Sequence, residues 1–363
     1  MIMGISAPFM QAACAKAKQE AENIISIIST IADPSIYQFS CQGEIKVQSI
    51  KNGAPVEQTY TDLSSANLSI QADAETEIKI LGNVTDFSPA AQYQGWGYAD
   101  TLLAKSIVFN CDTLQTIKVS GKSSYDAVST VENMIFVNCT ALQTLYCSGC
   151  TGLTSLDLAA NTALQTLDCH NCTGFTSLDL AANTALQTLE CNNCTGLTSL
   201  DLSANTELTY LGCGYCTGLT SLDLSANTEL THLSCSGCTG LTSLDLAANT
   251  ALQTLYCYDC TGLTSLDLAA NTALQTLYCN NCTGLTSLDL AANTALQTLE
   301  CNNCTGLTSI KYGASNSDVS TSIAGAITDA TAADGTVYTD SQGAYYSTIA
   351  DAATNKGWTI EQL

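Results

Sequence analysis

The sequence predicts a mainly β fold, a parallel β-solenoid of stacked coils with 22 residues and two strands each. Three observations predict this fold class: leucines recur at a fixed interval, short runs alternate apolar and polar residues, and the composition suits a packed core. Hydrophobic residues make up 46% of the 363-residue chain and charged residues only 12%, which excludes an acidic disordered chain. The repeating units begin at Leu142, Leu164, Leu186, Leu208, Leu230, Leu252, Leu274 and Leu296.

Each unit divides into two similar halves of 11 residues, L-x-x-L-x-C-x-x-C-x-x and L-x-x-L-x-L-x-x-N-x-x. Within a half, L-x-C or L-x-L puts two apolar side chains on one face of a short strand, and the residue between them faces outward. One coil buries too little apolar surface alone, so coils must stack, with parallel strands about 4.8 Å apart. Because both halves carry this pattern, we expect two parallel sheets, and a Thr-Gly pair between the halves argues against a helix.

The regions around the repeats are predicted to form caps. We assign residues 1–33 to an N-terminal helix for oligomerisation or anchoring, 34–102 to a small β-rich N-terminal cap, 103–312 to the solenoid and 313–363 to an α/β C-terminal cap. The C-terminal cap is predicted as helix, strand, helix and strand, in that order. An insertion between Val119 and Val131 predicts a bulging loop.

The N-terminal helix is predicted over 10–32, where apolar residues are spaced by four and three: Ala17, Ala21, Ile24, Ile28 and Ile31. Such a seam, with Ile at both kinds of position, favours trimers or tetramers over dimers. Only about two heptads are present, so docking of the helix onto the solenoid end is the alternative. We expect a homo-oligomer, preferably a trimer, or attachment to a larger assembly through residues 1–33.

The charge balance and the hydropathy exclude several classes of partner. The chain has 33 acidic residues against 10 lysines and no arginine, a net charge of −23, so it is not expected to bind a polyanion such as nucleic acid. No run of about 20 apolar residues exists, so a membrane span is not expected. The N-terminus has no Lys or Arg before a short apolar run broken by Pro8, so no convincing signal peptide is present.

Sixteen of the 20 cysteines form C-x-x-C pairs, a spacing typical of zinc or redox sites. Here the repeat itself accounts for the spacing, since the first Cys takes the inward site of a Leu and the second takes that of an Asn. We interpret them as a buried ladder of reduced thiols, with disulfides or a metal as alternatives, and predict no metal and no cofactor. The structural ladder, with its stacked asparagine amides, includes Cys147, Cys150, Cys169, Cys172, Asn161, Asn183 and Asn205.

The outward positions differ between the two halves. In L-T-S-L-D-L the outward residue is Asp in seven coils, from Asp157 to Asp289, and a solvated acidic column is favoured over a calcium site. In the other half the outward residues vary and are rich in Tyr, Ser, Gly and Asn, as in antibody paratopes, with surface drift as the alternative. The candidate ligand-binding residues are Tyr146, His170, Tyr210, Tyr215, His232, Tyr256, Tyr258 and Tyr278. No nucleophile–base pair is evident, so no catalytic residue and no enzymatic activity is predicted.

The segment L-T-S-L-D-L-A-A-N at 153–161, with its near-copies, resembles the leucine-rich repeat family, whose core is L-x-x-L-x-L-x-x-N. The short unit with its nested period of 11 is similar to the IRREKO subclass of bacterial surface and phage proteins. The resemblance covers about residues 103–312 and implies binding or adhesion, although Cys replaces Asn at corners such as Cys150.

These observations favour a non-enzymatic recognition protein that presents its variable face to a glycan or a protein. We expect a phage virion fibre or appendage, and therefore a virion, extracellular or cell-surface location. A bacterial cell-surface adhesin and a purely structural, self-assembling shaft are the alternatives.

Overall fold

The computed structural model describes residues 24–29, 35–63, 66–70, 77–89, 92–94, 97–99, 104–119, 131–312, 317–339 and 346–362. The chain divides into two compact units, Met1–Ala185 and Leu186–Leu363. Strands predominate in both units, as predicted.

The first unit begins with an antiparallel arrangement of strands. Their bounds are β1 Ile24–Ser29, β2 Ser35–Lys51, β3 Ala54–Thr61, β4 Ala66–Ile70, β5 Glu77–Pro89, β6 Gln92–Gln94 and β7 Gly97–Ala99. Strand β2 pairs with β3, β4 and β5. The β2–β3 hairpin turns at Asn52 and Gly53, whose φ angles of 52° and 73° fit the two-residue turn that favours Asn-Gly.

The predicted helix over 10–32 is wrong at its C-terminal end, where β1 forms instead. Strand β1 pairs antiparallel with β5 on one side, and on the other with β8, which spans Ala104–Asn110. In a strand the side chains alternate between the two faces, which places Ile25 and Ile27 on the same face, and both are completely buried. Pairing on both edges satisfies the backbone hydrogen bonds of these residues. A short helix without a packing partner is only marginally stable in comparison. The earlier part of the predicted helix lies outside the described residues.

The coils of the first unit follow directly on this sheet. Strand β8 pairs in parallel with β10 (Asn133–Val137), whereas β9 (Thr116–Lys118) pairs in parallel with β11 (Thr144–Tyr146), which pairs with β12 (Thr166–Asp168). Two strands per coil therefore form at this end. In the core, Phe109 packs between residues of two other strands. Its ring centroid lies 5.5 Å from that of Phe87 in β5 and 5.5 Å from that of Phe136 in β10. Part of the insertion before Val131, residues 120–130, lies outside the described residues.

The second unit contains two parallel sheets. One consists of β13 Thr188–Glu190, β14 Tyr210–Gly212, β15 His232–Ser234, β16 Thr254–Tyr256, β17 Thr276–Tyr278 and β19 Thr298–Glu300. Their partners lie 22 residues apart, as in Leu211 and Leu233, which confirms the predicted repeat register. The other sheet contains β18 Ser287–Leu290, β20 Ser309–Tyr312, β21 Thr336–Thr339 and β22 Thr359–Gln362.

The C-terminal elements follow the predicted order of helix, strand, helix and strand. Helix α1 spans Ser317–Asp329 and helix α2 spans Tyr346–Lys356, each followed by one strand of the second sheet. Ile323, Ile327 and Ile349 are fully buried, so both helices cover the end of the core. Neither of these two helices, the ones that the described residues contain, has the length and apolarity needed to cross a membrane.

The expectation of two strands in every coil is wrong for six coils. The S-L-D-L segments that begin at 155, 177, 199, 221, 243 and 265 form no strand, whereas the segment at 287 forms β18. The hydrogen bonds between coils are also longer where this strand is missing. Thr308 N lies 2.9 Å from Thr286 O beside β18, whereas Thr264 N lies 3.4 Å from Thr242 O in the coils without the strand.

The outward Asp explains where the second sheet fails. Strand β18 pairs with a strand in which Lys311 stands opposite Asp289, and the Lys311 Nζ lies 3.2 Å from the Asp289 carboxylate. In the six other coils the successive outward residues are all Asp. Like charges directly across a sheet are destabilising, so the coils separate slightly on this side and the ladder is lost.

Candidate functional site

The inward corners of the coils are filled by two columns, one of cysteine and one of asparagine. In six of the pairs, from Cys172 to Cys304, the second Cys donates its S–H to a main-chain oxygen 25 residues earlier, as from Cys238 Sγ to Cys213 O at 3.1 Å. The Asn reaches the equivalent oxygen in its own half, from Asn227 Nδ2 to Leu202 O at 3.1 Å, and also Asn205 O at 2.9 Å. Cys therefore takes over one of the two hydrogen bonds that Asn makes.

All nineteen cysteines of the described residues are buried, and none of them is joined to another by a disulfide. The pKa of Cys213 lies well above that of an ordinary thiol, because its hydrogen bond with Cys238 and its burial both favour the protonated form. The same causes raise the pKa of Cys191, Cys235, Cys257 and Cys279. A protonated, buried thiol is a poor nucleophile and a poor metal ligand.

No cluster of three or more His, Cys, Asp or Glu side chains in the described residues could hold a metal ion. His170 Nδ1 lies 2.5 Å from Asp168 Oδ1 in the first unit, and His232 Nδ1 lies 2.9 Å from Thr231 Oγ1 in the second. Neither of these two groupings combines the histidine with both a nucleophile and an orienting carboxylate, which a catalytic triad requires.

The aspartate column has a structural role. Each carboxylate accepts a hydrogen bond from the backbone N–H two residues later, as from Ser225 N to Asp223 Oδ1 at 3.0 Å. This bond, together with one from the Ser225 side chain, lowers the pKa of Asp223, and the charge of Asp201 acts in the opposite direction. The column therefore holds the turns of the coils, which agrees with a solvated acidic surface.

The outward residues of the first half form the candidate recognition surface. In the second unit we call it the aromatic face: Tyr210, Tyr215, His232, Tyr256, Tyr258 and Tyr278. Tyr210 and His232 are partners in adjacent strands, and Tyr256 and Tyr278 are likewise partners. The structure therefore places six of the eight predicted binding residues on neighbouring coils of one sheet.

The six side chains of the aromatic face form three ring pairs. The Tyr210 and His232 rings stack at 6.0 Å, and those of Tyr256 and Tyr278 lie 5.0 Å apart with a tilt of 53°. The rings of Tyr215 and Tyr258 meet edge-on at 6.3 Å, with their hydroxyls 3.5 Å apart. The hydrogen bond with Tyr258 raises the pKa of Tyr215 to about 12, so the Tyr215 phenol is neutral at pH 7.

One outward position in each coil is fixed by the backbone rather than by a ligand. The residue before the second Cys has a positive φ throughout, and it is Gly149, Asn171, Asn193, Tyr215, Gly237, Asp259, Asn281 or Asn303. Gly, Asn and Asp tolerate this left-handed conformation better than other residues do. The richness in Asn and Gly, interpreted from sequence as a binding signal, is therefore explained at this position by the turn.

Tyr215 is the exception at that position, since a bulky side chain in the left-handed region is an outlier. It is 41% exposed, so burial of the ring does not account for its presence. Its ring lies over Gly237, where an added Cβ would come within 2.4 Å of Tyr215 Cδ1. Strained residues of this kind concentrate at functional sites.

Small residues lie between the aromatic pairs: Gly212, Gly214, Ser234, Ser236 and Gly237. All of these except Ser234 are buried. They are visible in the sequence but are not among the predicted binding residues. Ser236 is 1% exposed, and its hydroxyl has no hydrogen-bond partner among the described residues.

The aromatic rings lie beside these small residues. Register puts Tyr210 and His232 beside Gly212 and Ser234, with Tyr256 on the following strand. The Tyr215 ring occupies the space over Gly237, and the side chains of Asn192 and Glu190 occupy the space over Gly212.

The other two predicted residues lie in the first unit. The Lys118 Nζ lies over the Tyr146 ring, 5.7 Å from its centroid. His170 is held by its contact with Asp168. Each unit thus presents outward aromatic or histidine side chains of its own.

No protein-family model and no curated protein matches the chain. Among solved structures, the chain is similar to the functional domain of InlJ from Listeria monocytogenes, described as including a cysteine ladder, with 26% identity and a TM-score of 0.31. This match covers 64% of each chain, so the chain spans less than two thirds of that domain. A second is the internalin InlF from Listeria monocytogenes strain 4b F2365, with 18% identity, 71% of this chain, 86% of that chain and a TM-score of 0.34.

Proposed function

We propose that this chain is a non-enzymatic recognition or adhesion protein that binds a macromolecular partner, a protein or a glycan, through its aromatic face. The observation that carries the proposal is Tyr215, an exposed ring in an unfavourable backbone conformation that neighbouring coils fill with Asn, Gly or Asp. Tyr215 is expected to lower the stability of the fold, and 41% of its surface stays exposed. An interaction with a partner outside the chain explains such a residue.

The distribution of side chains over the coils supports the same function. The inward Leu, Cys and Asn residues repeat almost unchanged, and the opposite half carries an invariant outward Asp. Between Leu142 and Lys311, tyrosine and histidine occur only on the outward side of the other half. Aromatic side chains provide large contact areas at low entropic cost, and they are enriched at protein interfaces.

A binding experiment with paired variants tests this proposal. The full chain would be assayed on arrays of glycans and of cell-surface proteins, with Tyr256→Ala and Tyr278→Ala compared against Asp245→Asn on the acidic side. We expect the two tyrosine variants to lose binding and Asp245→Asn to retain it. Equal binding by all variants would move the recognition site away from the aromatic face.

We propose a virion fibre or appendage as the setting, attached through residues 1–33, preferably as a trimer. A bacterial cell-surface adhesin is the alternative, and purification from virions or from a cell envelope distinguishes the two. Light scattering of the full chain and of a variant lacking residues 1–23, which keeps β1 intact, tests the oligomer. If both samples are monomers, the fibre proposal is excluded. If both samples assemble without any external ligand, the self-assembling shaft is supported.

A further inference from the structure

Strand β3, Ala54–Thr61, has one edge without a partner strand. It pairs with β2 and with no other strand of the described residues. Six of its eight side chains are exposed, and the other two, Val56 and Tyr60, are half-buried. Neither face of the strand is therefore packed into a core. A strand edge of this kind presents unpaired N–H and C=O groups to any strand that approaches it.

Helix α1 closes the corresponding edge of the coil sheet in the second unit. Beyond the last strand, β19, the Ser322 hydroxyl of this helix donates to Leu299 O at 2.5 Å. The Asp329 carboxylate accepts a hydrogen bond from Asn303 N at 2.8 Å. The cap thus supplies partners that another coil would otherwise supply. Among the described residues, no helix closes the edge of β3 in this way.

The β2–β3 hairpin determines which backbone groups point to the free edge. The residues that flank a two-residue hairpin loop exchange hydrogen bonds, and here they are Lys51 and Ala54. Hydrogen-bonded and non-hydrogen-bonded pairs then alternate, so the backbone groups of residues 55, 57, 59 and 61 point away from β2. Pro55 is at one of these positions, so its missing N–H costs the hairpin no hydrogen bond.

Charge and side-chain type select one register for two such edges. A two-fold axis at Glu57 would place two carboxylates directly opposite each other, which is unfavourable. An axis at Gln58 instead places Glu57 opposite Thr59 of a second copy. It also places Val56 opposite Tyr60, and a β-branched and an aromatic side chain form a favourable cross-strand pair. We propose that β3 pairs antiparallel with β3 of a second copy of this chain in this register.

The backbone fits the same register. Glu57 and Thr59 of the two copies exchange both of their N–H···O bonds, and only the outer pair of Pro55 with Thr61 lacks one. Main-chain hydrogen bonds of this kind join chains by addition of a strand to a sheet. One pair of strands buries less surface than a stable interface does, so the dimer is weak and depends on concentration. The inference does not depend on what the aromatic face binds.

Substitution of Thr59 tests the pairing, because it changes the monomer and the dimer in opposite directions. Within the monomer Thr59 lies opposite Lys46 of β2. Thr59→Glu therefore adds an attraction within the monomer and a repulsion against Glu57 of the second copy, and Thr59→Lys does the reverse. In analytical ultracentrifugation of the full chain at up to about 1 mM, we expect Thr59→Glu to raise the Kd about tenfold and Thr59→Lys to lower it about threefold. The midpoints in urea are expected to change in the opposite order.

The matched controls are Thr173→Glu and Thr173→Lys, which make the same changes of charge at an exposed position of the same unit outside β3. We expect both to leave the Kd unchanged. A change as large as that in the Thr59 variants would reduce the effect to net charge and would overturn the inference. Sedimentation that does not depend on concentration would also overturn it. Assembly through residues 1–33 does not involve Thr59, so failure here leaves that proposal and the recognition function unaffected.

A cysteine on the proposed axis tests the register directly. The two copies of residue 58 form a non-hydrogen-bonded pair with Cα atoms about 4.5 Å apart, a distance that a disulfide can bridge. Thr61→Cys is the control, because residue 61 lies about 20 Å from its own copy in this register. Cys14 is replaced by serine in both variants, and the other cysteines are buried. Oxidation with copper phenanthroline should give a covalent dimer of Gln58→Cys only; equal crosslinking of Thr61→Cys would contradict the pairing.

Discussion

Replacement of Tyr215 by asparagine should stabilise the protein, although it removes a large aromatic side chain. The left-handed backbone conformation costs a residue such as Tyr about 1–2 kcal/mol, and Asn adopts it readily. The edge-on pair with Tyr258 contributes about 0.5–1.5 kcal/mol in general. Here the lower end applies, because Tyr215 is 41% exposed and the two hydroxyls lie 3.5 Å apart. From these two contributions alone, the expected net gain is about 0.5–1.5 kcal/mol.

A double-mutant cycle with Gly237→Ala isolates the packing of the ring on the glycine. Alanine at this position must adopt the φ of +68° that Gly237 has, which costs about 1–2 kcal/mol in either background. With Tyr215 present, the added Cβ also meets the ring at 2.4 Å, so the ring must move. We expect Gly237→Ala to be more harmful in the wild-type background than in the Tyr215→Asn background, by about 0.5 kcal/mol or more.

Coils can unfold separately in repeat proteins, so the measurement should be local as well as global. Urea denaturation gives the midpoint of each variant, and hydrogen exchange of the amides in β14 and β15 reports on the coils concerned. A lower midpoint for Tyr215→Asn would contradict the strain argument. Equal costs of Gly237→Ala in both backgrounds would show that ring and glycine are not coupled.

Four further tests address the rest of the architecture. Asn227→Ala removes two buried hydrogen bonds and should cost about 1–3 kcal/mol in urea denaturation, whereas Asn227→Cys keeps one of them and should cost less. Asp223→Lys imitates the Lys311–Asp289 pair and should slow hydrogen exchange in the neighbouring S-L-D-L segments; unchanged exchange would remove charge repulsion as the cause of the missing strands. The hydrogen bonds from the side chain and the backbone of Ser203 lower the pKa of Asp201, so the stability they give is present above the unfolded pKa of about 3.9. It is lost as the pH falls through the lower native value, and melting curves from pH 5 to 2 should show a smaller decrease for Asp201→Asn. Cys213, with its raised pKa, should resist iodoacetamide at pH 8 in the native protein and react in denaturant; rapid native labelling would contradict its burial.

The repeat period predicted the strands that depend only on local pattern and on stacking. Leu211 and Leu233 are partners because identical coils fit only at a shift of 22 residues. The N-terminal error has a non-local cause, since IISIIS repeats every three residues and does not by itself distinguish a helix from a strand. The edges of β5 and β8 decide between them, and no local pattern indicates that these edges lie on either side of β1.

The candidate site was predicted in part. The outward positions of Tyr256 and Tyr278 follow from the two-residue period of a strand, so a sequence suffices to place them on one face. The positive φ of the residue before the second Cys depends on the turn geometry at each corner. This φ distinguishes two sets of variable residues that look alike in the sequence: residues at the corner, which the turn restricts, and outward strand residues, which it does not restrict.

That separation changes which residues carry information about function. At the corner position Asn, Gly and Asp satisfy the backbone, so their exchange between coils says nothing about a ligand. Tyr215 opposes the backbone, and Gly237 in the next coil leaves the space that its ring occupies. The half-exposed ring of Tyr215, and not the Asn, Gly or Asp of the other corners, is therefore the feature of this position that points to the outward surface.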